Sequence, residues 1–197
     1  MPGIYLVARL DGRSFTRLTR EVHRFETSFD WRFRDRMLDT AAHLLAEFSA
    51  RYAYTQSDGI SLLFPLNCTL FNRKLRKLNS VLAGQASACF SLALGTIAAF
   101  DCRICELPRT ADVINYFRWR SEDAHRNALN AHCYWALRKA GLSGETAAAA
   151  LRNRTIAEKN EWLFQHGINF NDLPNWQKRG AGIYWEHYDK AGGNPVT

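Results

Sequence analysis

Residues 51–64 read RYAYTQSDGISLLF, two strand-forming runs that close on Ser57-Asp58-Gly59. An Asp-Gly pair between such runs is a strong hairpin signal, because both residues accept the backbone a tight turn requires. Pro65 follows and has no amide to offer a ladder, so the second strand ends there. Upstream, residues 3–10, GIYLVARL, form an apolar run of strand length that gives way to Asp11-Gly12. Between these runs, Phe33, Met37, Ala41, Leu44, Leu45 and Phe48 recur at helical spacing across residues 30–49, with Asp30 placed as N-cap. Downstream, Leu70, Phe71, Leu75, Leu78 and Leu82 give residues 70–83 one apolar helical side. IAAFDCRIC at 97–105 then reads as a strand.

The order strand, helix, hairpin, helix, strand is β-α-β-β-α-β. It predicts an α+β, ferredoxin-like antiparallel sheet with helices on one face, the plan shared by polymerase palms and nucleotide cyclases. Pro108 marks a change of pattern. Beyond it the spacing predicts helices over about 110–140, 143–153 and 155–166, with Thr110 and Ser143 as N-caps and Gly141 and Gly167 as stops. The last 30 residues read as loops and short pieces. The expected organisation is a palm-like core over residues 1–108 and a helical region over 109–197, packed as one unit.

Hydrophobic residues make up 47% of the 197, enough for a sizeable core and too many for wholesale disorder. No apolar run reaches the roughly 18 residues that cross a bilayer. Ala86–Phe100 comes closest, but Ser87, Ser91, Gly95 and Thr96 interrupt it. No charged leader precedes a long apolar segment, so a cytoplasmic protein with no membrane partner is expected. Five cysteines without a regular framework read as reduced thiols. Cys102 and Cys105 form a CxxC, but on a strand they face opposite sides, which argues against zinc. The net charge is +7, and its placement is uneven. Arg9, Arg13, Arg17, Arg20, Arg24, Arg32, Arg34 and Arg36 crowd the first stretch, and Arg73, Lys74, Arg76 and Lys77 form a second cluster. Both point to phosphate-bearing ligands.

Asp11 follows the first strand and Asp58 sits at the hairpin tip. Either aspartate alone reads as a turn residue. In a β-α-β-β sheet the two can meet at one end, where a carboxylate pair can hold two Mg²⁺ ions. One ion would lower the pKa of an attacking hydroxyl, and the other would stabilise a leaving pyrophosphate. Mg²⁺ takes only one or two protein carboxylates and leaves its other positions to phosphate oxygens. Behind Asp11, Gly12, Arg13, Ser14 and Phe15 form a segment whose amides can face phosphates, although no Walker pattern is present. Ser57 is a further phosphate-ligand candidate. Lys74 and Lys77 share a helical face, which reads equally as a phosphate contact or as a solvated basic surface.

Asn127 and Asn130, three apart, share a helical face, as can His125 and His132, seven apart. Mid-helix asparagine is mildly unfavourable, so a role in reading bases or riboses competes with that of an exposed polar residue. The histidines read as ordinary hydrogen-bonded residues rather than metal ligands. Trp119, Tyr134, Trp135, Trp162 and Trp185 can stack on bases, or can belong to the core.

RLDGRSFTRLT, YTQSDGISLLF, RKLRKLNSVLAG, the FDCR strand, RNALNAHCYW and EKNEWLFQHGINFN occur in this order in the tRNA(His) guanylyltransferase family. The chain resembles that family over essentially its whole length, and most of all its guanylyltransferase-like 3′–5′ polymerases. The resemblance implies a palm core that adds nucleotides to the 5′ end of tRNA, using ATP or GTP, two Mg²⁺ ions and a tetrameric assembly. It implies Asp11 and Asp58 as catalytic metal carboxylates, and Gly12 as a carbonyl ligand. Ser57, Lys74 and Lys77 are implied on the triphosphate. His125, Asn127, Asn130, Lys159, Asn160 and Glu161 are implied in handling the 5′ end or a second nucleotide. The chain departs from the family's pattern at Gly59, where relatives usually carry an acid, and at Thr27-Ser28, where they often carry Lys-Pro. A non-catalytic tRNA-binding paralogue and a palm-type nucleotide cyclase are the competing readings.

Overall fold

The computed structural model describes residues 3–23, 25 and 29–186. Arg24, Thr27 and Ser28 lie outside the described residues, as does the side chain of Arg20. Strands β1 (Tyr5–Arg13), β2 (Tyr52–Gln56), β3 (Gly59–Leu63), β4 (Ala99–Leu107) and β5 (Ala181–Tyr184) form one sheet in the order β4-β1-β3-β2-β5. Every neighbouring pair is antiparallel. The first four strands have the expected ferredoxin-like arrangement. β1 continues through Asp11 and Gly12 to Arg13 rather than ending before them.

Alternation along the strands divides their side chains between two faces. Leu6, Ala8, Leu10, Ala53, Ile60 and Leu62 pack beneath helices α2 (Trp31–Glu47) and α3 (Leu75–Leu94). These two helices share one face, as expected of the ferredoxin-like core, and α4 (Thr110–Lys139) of the helical region covers the other. There Tyr116 shares a hydrogen bond of 3.0 Å with Ser61, and Phe117 packs edge-on to Tyr52 at 4.9 Å. Cover on both sides explains why GIYLVARL carries so little polar alternation.

Asp30 caps α2 as expected, accepting the Arg32 amide at 2.8 Å and the Arg32 side chain at 3.0 and 2.6 Å. At α4 the cap falls one residue early: Thr110 is the first helical residue, and the Asp112 carboxylate accepts the Arg109 amide at 3.2 Å. Gly141 and Gly167 end their helices with φ of 95° and 79°, as the pattern predicts.

The helix expected over 70–83 is displaced. Phe71, Asn72 and Arg73 take left-handed backbone (φ 49°, 53° and 55°), and α3 starts only at Leu75 and runs to Leu94. The Arg73 guanidinium makes that turn possible by donating to the Ile4, Cys68 and Leu66 carbonyls at 2.6, 3.2 and 3.4 Å. The serines that break the apolar run have structural tasks. Ser87 Oγ accepts the Phe100 amide at 2.9 Å, and Ser91 Oγ accepts the Ala98 amide at 2.8 Å. They tie the outer edge of β4, whose groups have no neighbouring strand, to α3.

Helices α5 (Gly144–Leu151) and α6 (Ile156–Gln165) build a second core on α4, around Leu129, Cys133, Leu137, Leu151, Leu163 and Phe170. The short α7 (Asn175–Arg179) then leads into β5, which was not expected. Tyr54 Oη donates to the Arg179 carbonyl at 2.7 Å, and Trp185 Nε1 donates to the Ala50 carbonyl at 3.0 Å, anchoring the returning chain beside β2. No helix among the described residues is long and apolar enough to cross a membrane.

Asp30→Ala removes both the cap of α2 and the partner of Arg32. Urea denaturation is expected to show a loss of about 1–2 kcal/mol, most of which Asp30→Asn restores.

Candidate active site

The register of β1 against β3 places Asp11 opposite Gly59. The next step is a backbone bond from the Gly12 amide to the Asp58 carbonyl, 3.0 Å long. Ser57 takes left-handed backbone (φ 52°) to close the turn. Asp11 and Asp58 therefore stand on adjacent strands at one end of the sheet. Both line a cleft of about 490 Å³ between the hairpin tip, α1 (Phe15–Arg17), the start of α2 and the underside of α4. Asp11 keeps 39% of its side chain exposed and is touched by Arg9 Nη2 at 3.3 Å. Burial, and then the Asp11 carboxylate, push the Asp58 carboxyl above its ordinary value; its own amide, the Ser57 hydroxyl and Arg9 pull the other way.

An antiparallel strand sends the amide and carbonyl of one residue to the same side. The Gly12 carbonyl thus faces the hairpin edge, and no Asp58 amide bonds back to it among the described residues. Asp11 and Asp58 line the cleft and Gly12 does not, so the two carboxylates, with the neighbouring Gly12 carbonyl, could supply a set of oxygen donors. That set suits Mg²⁺ whose other positions are filled by phosphate oxygens and water.

Gly12 is required for a reason not anticipated. A Cβ there would sit 2.6 Å from the Phe15 ring. Phe15 is only 3% exposed and packs on Phe90 and Phe100 at 5.2 and 4.9 Å. It lines the cleft and supports it from the core. Arg13 and Ser14 are exposed, with Ser14 in left-handed backbone, and neither lines the cleft.

Of the other candidates, Ser57 and Asn127 are brought to the cleft. Asn130, three residues on along α4 and likewise exposed, does not line the cleft. Lys74 and Lys77 are not brought to the cleft either. They flank the start of α3, about 18 Å along the helix from Ser87. That is the Ile4 end of the sheet, about 24 Å of strand from Asp11. Lys159, Asn160 and Glu161 lie on α6 outside the cleft; Asn160 bonds the Ile156 carbonyl at 2.9 Å, and Glu161 accepts from Gln165 at 2.8 Å.

His125 and His132 do share a face, and both rings pack on Phe170 at 5.2 and 5.9 Å. Their Nδ1 and Nε2 atoms respectively lack partners among the described residues, so they are stacked rather than fully hydrogen-bonded. Burial, with Arg179, Lys178 and Arg126 nearby, holds the His125 pKa below its ordinary value.

The cleft also contains residues that sequence reasoning passed over. Arg120, Asp123 and Ala131 line it from α4 beside the anticipated Asn127 and Trp135, and Arg34 lies over the Trp176 ring at 4.7 Å. The recurrence of the α4 residues at steps of three and four was the available signal. Asp101 pairs across from Asp11 on β4, but it stays outside the cleft, near Arg103 at 3.6 Å.

A palm-like sheet with two aspartates beside a cleft defines the class: a palm-like nucleotidyltransferase. Residues 1–108 match the family model of tRNAHis guanylyltransferase, and residues 111–195 match that of the Thg1 C terminal domain. The tRNA(His) guanylyltransferase of Neurospora crassa is 32% identical over 93% of this chain and 67% of its own. That of Debaryomyces hansenii is 32% identical over 98% and 78%. Among solved structures, the tRNA(His) guanylyltransferase of Saccharomyces cerevisiae superposes with a TM-score of 0.87 at 25% identity, covering 97% of this chain and 91% of that one. A bacterial tRNA(His) guanylyltransferase (Thg1)-like protein in complex with GTP gives 0.73 at 31% identity, covering 96% and 79%. The chain belongs to the tRNA(His) guanylyltransferase family.

The raised pKa of Asp58 sets a pH dependence. The folded chain holds that proton more tightly than the unfolded one. Its cost to stability is therefore absent below the ordinary carboxylate value and complete above the raised one. In a chelating buffer at pH 7, Asp58→Asn is expected to melt above the unsubstituted protein, a gap that closes as pH falls into the carboxylate range. Calorimetry across pH tests this; a lower melting point at pH 7 would contradict it.

Proposed function

We propose that this protein transfers nucleotides in the 3′–5′ direction to the 5′ end of a tRNA, with a nucleoside triphosphate bound in the cleft between the hairpin and α4. The observation that carries the reading is the register that sets Asp11 and Asp58 side by side at the mouth of that cleft. Relatives solved with GTP and with ATP support a nucleotide in this fold.

Asp11, Asp58 and the Gly12 carbonyl would hold two Mg²⁺ ions, which supply acidification of the attacking hydroxyl and neutralisation of the leaving phosphates. The 3′-hydroxyl of the incoming nucleotide attacks the activated 5′ phosphorus of the RNA. A P–O bond forms, the bond to pyrophosphate or to the activating nucleotide breaks, and the hydroxyl proton passes to solvent. Ser57 offers a hydroxyl beside Asp58, and Asn127 offers an amide from the facing helix.

The same reading takes residues 1–108 as palm and 109–197 as a helical region of one unit, since β5 returns to the sheet. It extends to a cytoplasmic homo-oligomer. The free thiols support the first part, and apolar side chains as exposed as Leu92 at 85% and Ile97 at 89% support the second. Lys74, Lys77 and the α6 residues Lys159, Asn160 and Glu161 would then serve the RNA away from the metal end.

Labelled GTP should enter the 5′ end of a 5′-truncated tRNA only when Mg²⁺ is present. Asp11→Ala or Asp58→Ala should lower the rate by about 10³-fold or more while leaving a folded protein. A folded protein that binds tRNA with no incorporation would instead identify a non-catalytic binder, and turnover of GTP without RNA would identify a cyclase-like enzyme.

A further inference from the structure

Arg120 is 6% exposed; its guanidinium carbon lies 5.3 Å from the Trp119 ring centre, and its ion pairing is sparse. Its Nη1 reaches Asp123 at 3.3 Å, and its Nε is buried without a partner among the described residues. Asp123 in turn is divided among three donors, since Arg126 and the Asn127 amide also approach it at 3.3 Å. A guanidinium cannot shed its proton, so burial leaves it in need of an anion.

The direction of the unmatched side is visible at Gly59. A Cβ built there would lie 3.6 Å from Arg120 Nη2 and 3.8 Å from Asp11 Oδ1. The guanidinium thus looks into the cleft beside the metal-binding carboxylates, in the space that a larger residue at position 59 would occupy. A bare cation there would repel Mg²⁺ held by Asp11 and Asp58. A phosphate oxygen between them satisfies both, and the planar guanidinium is well matched to phosphate.

We propose that Arg120 is a phosphate-binding residue of the cleft, taking a non-bridging oxygen of the polyphosphate beside Asp11 and Asp58, and that Gly59 keeps its guanidinium open to that ligand. This rests on the reading of the cleft as a nucleotide site. The phosphate can belong to the nucleoside triphosphate or to the 5′ end of the RNA.

The test is equilibrium binding to the full chain, with Mg²⁺ and no second substrate, of GTP against GMP and of 5′-triphosphorylated against 5′-hydroxyl RNA. Arg120→Gln should weaken GTP at least tenfold and leave GMP within about twofold, with Arg120→Lys intermediate. Gly59→Glu should weaken GTP in the same way, because its carboxylate meets the guanidinium with no clash at the Cβ. In the Arg120→Gln background the same change should add little. A purely structural role would alter melting without altering the GTP to GMP ratio. If only the RNA ratio collapses, the ligand is the RNA 5′ phosphate. If Arg120→Gln, or Arg120→Lys and Gly59→Glu should the first not fold, keeps both ratios, the proposal is overturned while the nucleotide site stands. If the unsubstituted protein binds neither triphosphate, both fall.

Discussion

The antiparallel register of β1 on β3 is the constraint on which the rest depends. It pairs Val7 with Leu63, Arg9 with Ser61 and Asp11 with Gly59. A slip of one residue would turn every side chain of β1 over. Leu6, Ala8 and Leu10 would leave the core, and Asp11 would enter it. Burying three apolar residues is worth several kcal/mol, so the core that stabilises the sheet also fixes the carboxylate at the cleft. The carboxylate end of the sheet is held by the same packing that folds the protein.

That coupling explains what could be read in advance. The apolar strand runs, the Asp-Gly turn and the α2 stripe are local, and each was visible in the sequence along with the topology they imply. Non-local features were not. The four residues of β5 have no signature of their own and become a strand only because β2 offers an open edge. The left-handed turn at Phe71–Arg73 depends on Arg73 finding the Ile4 carbonyl, 69 residues away. Lys74 and Lys77 resembled phosphate ligands by charge, but charge does not reveal which end of the sheet a helix starts from. Asp11, Asp58, Ser57 and Asn127 were legible because a turn or a helix face sets their direction. Arg120 was not, because a cation amid aromatic residues on α4 looks like any amphipathic helix until the sheet beneath it is known.

The cleft carries charges that the fold alone would not favour. Asp58 is pushed toward its neutral form by burial and by Asp11, and Arg120 is buried with one long ion pair. In a fold stabilised by roughly 5–15 kcal/mol, such groups are a noticeable fraction of the total. They sit on opposing elements, the carboxylates on the sheet and the arginine on the helix above. Direct pairing between Arg120 and Asp11 would relieve both, yet Asp11 is paired with Arg9 and Arg120 with Asp123. The unrelieved charges are thus of both signs and face the same volume.

A volume faced by Asp11 and Asp58 beside Arg9 on the sheet, and by Arg120 beside Asp123 on α4, suits a ligand that is itself divided in sign. A free nucleotide offers only negative charge and meets the aspartates unfavourably; a bare metal ion meets the arginine unfavourably. A metal–polyphosphate complex presents cations to Asp11 and Asp58 and anionic oxygens to Arg120. Gly59 matters for the same reason. An acid at that position would add a third carboxylate to the sheet wall and neutralise the helix wall, making the volume anionic throughout. With glycine the Arg120 guanidinium stays open to the cleft, and phosphate recognition from α4 compensates for a carboxylate the sheet lacks.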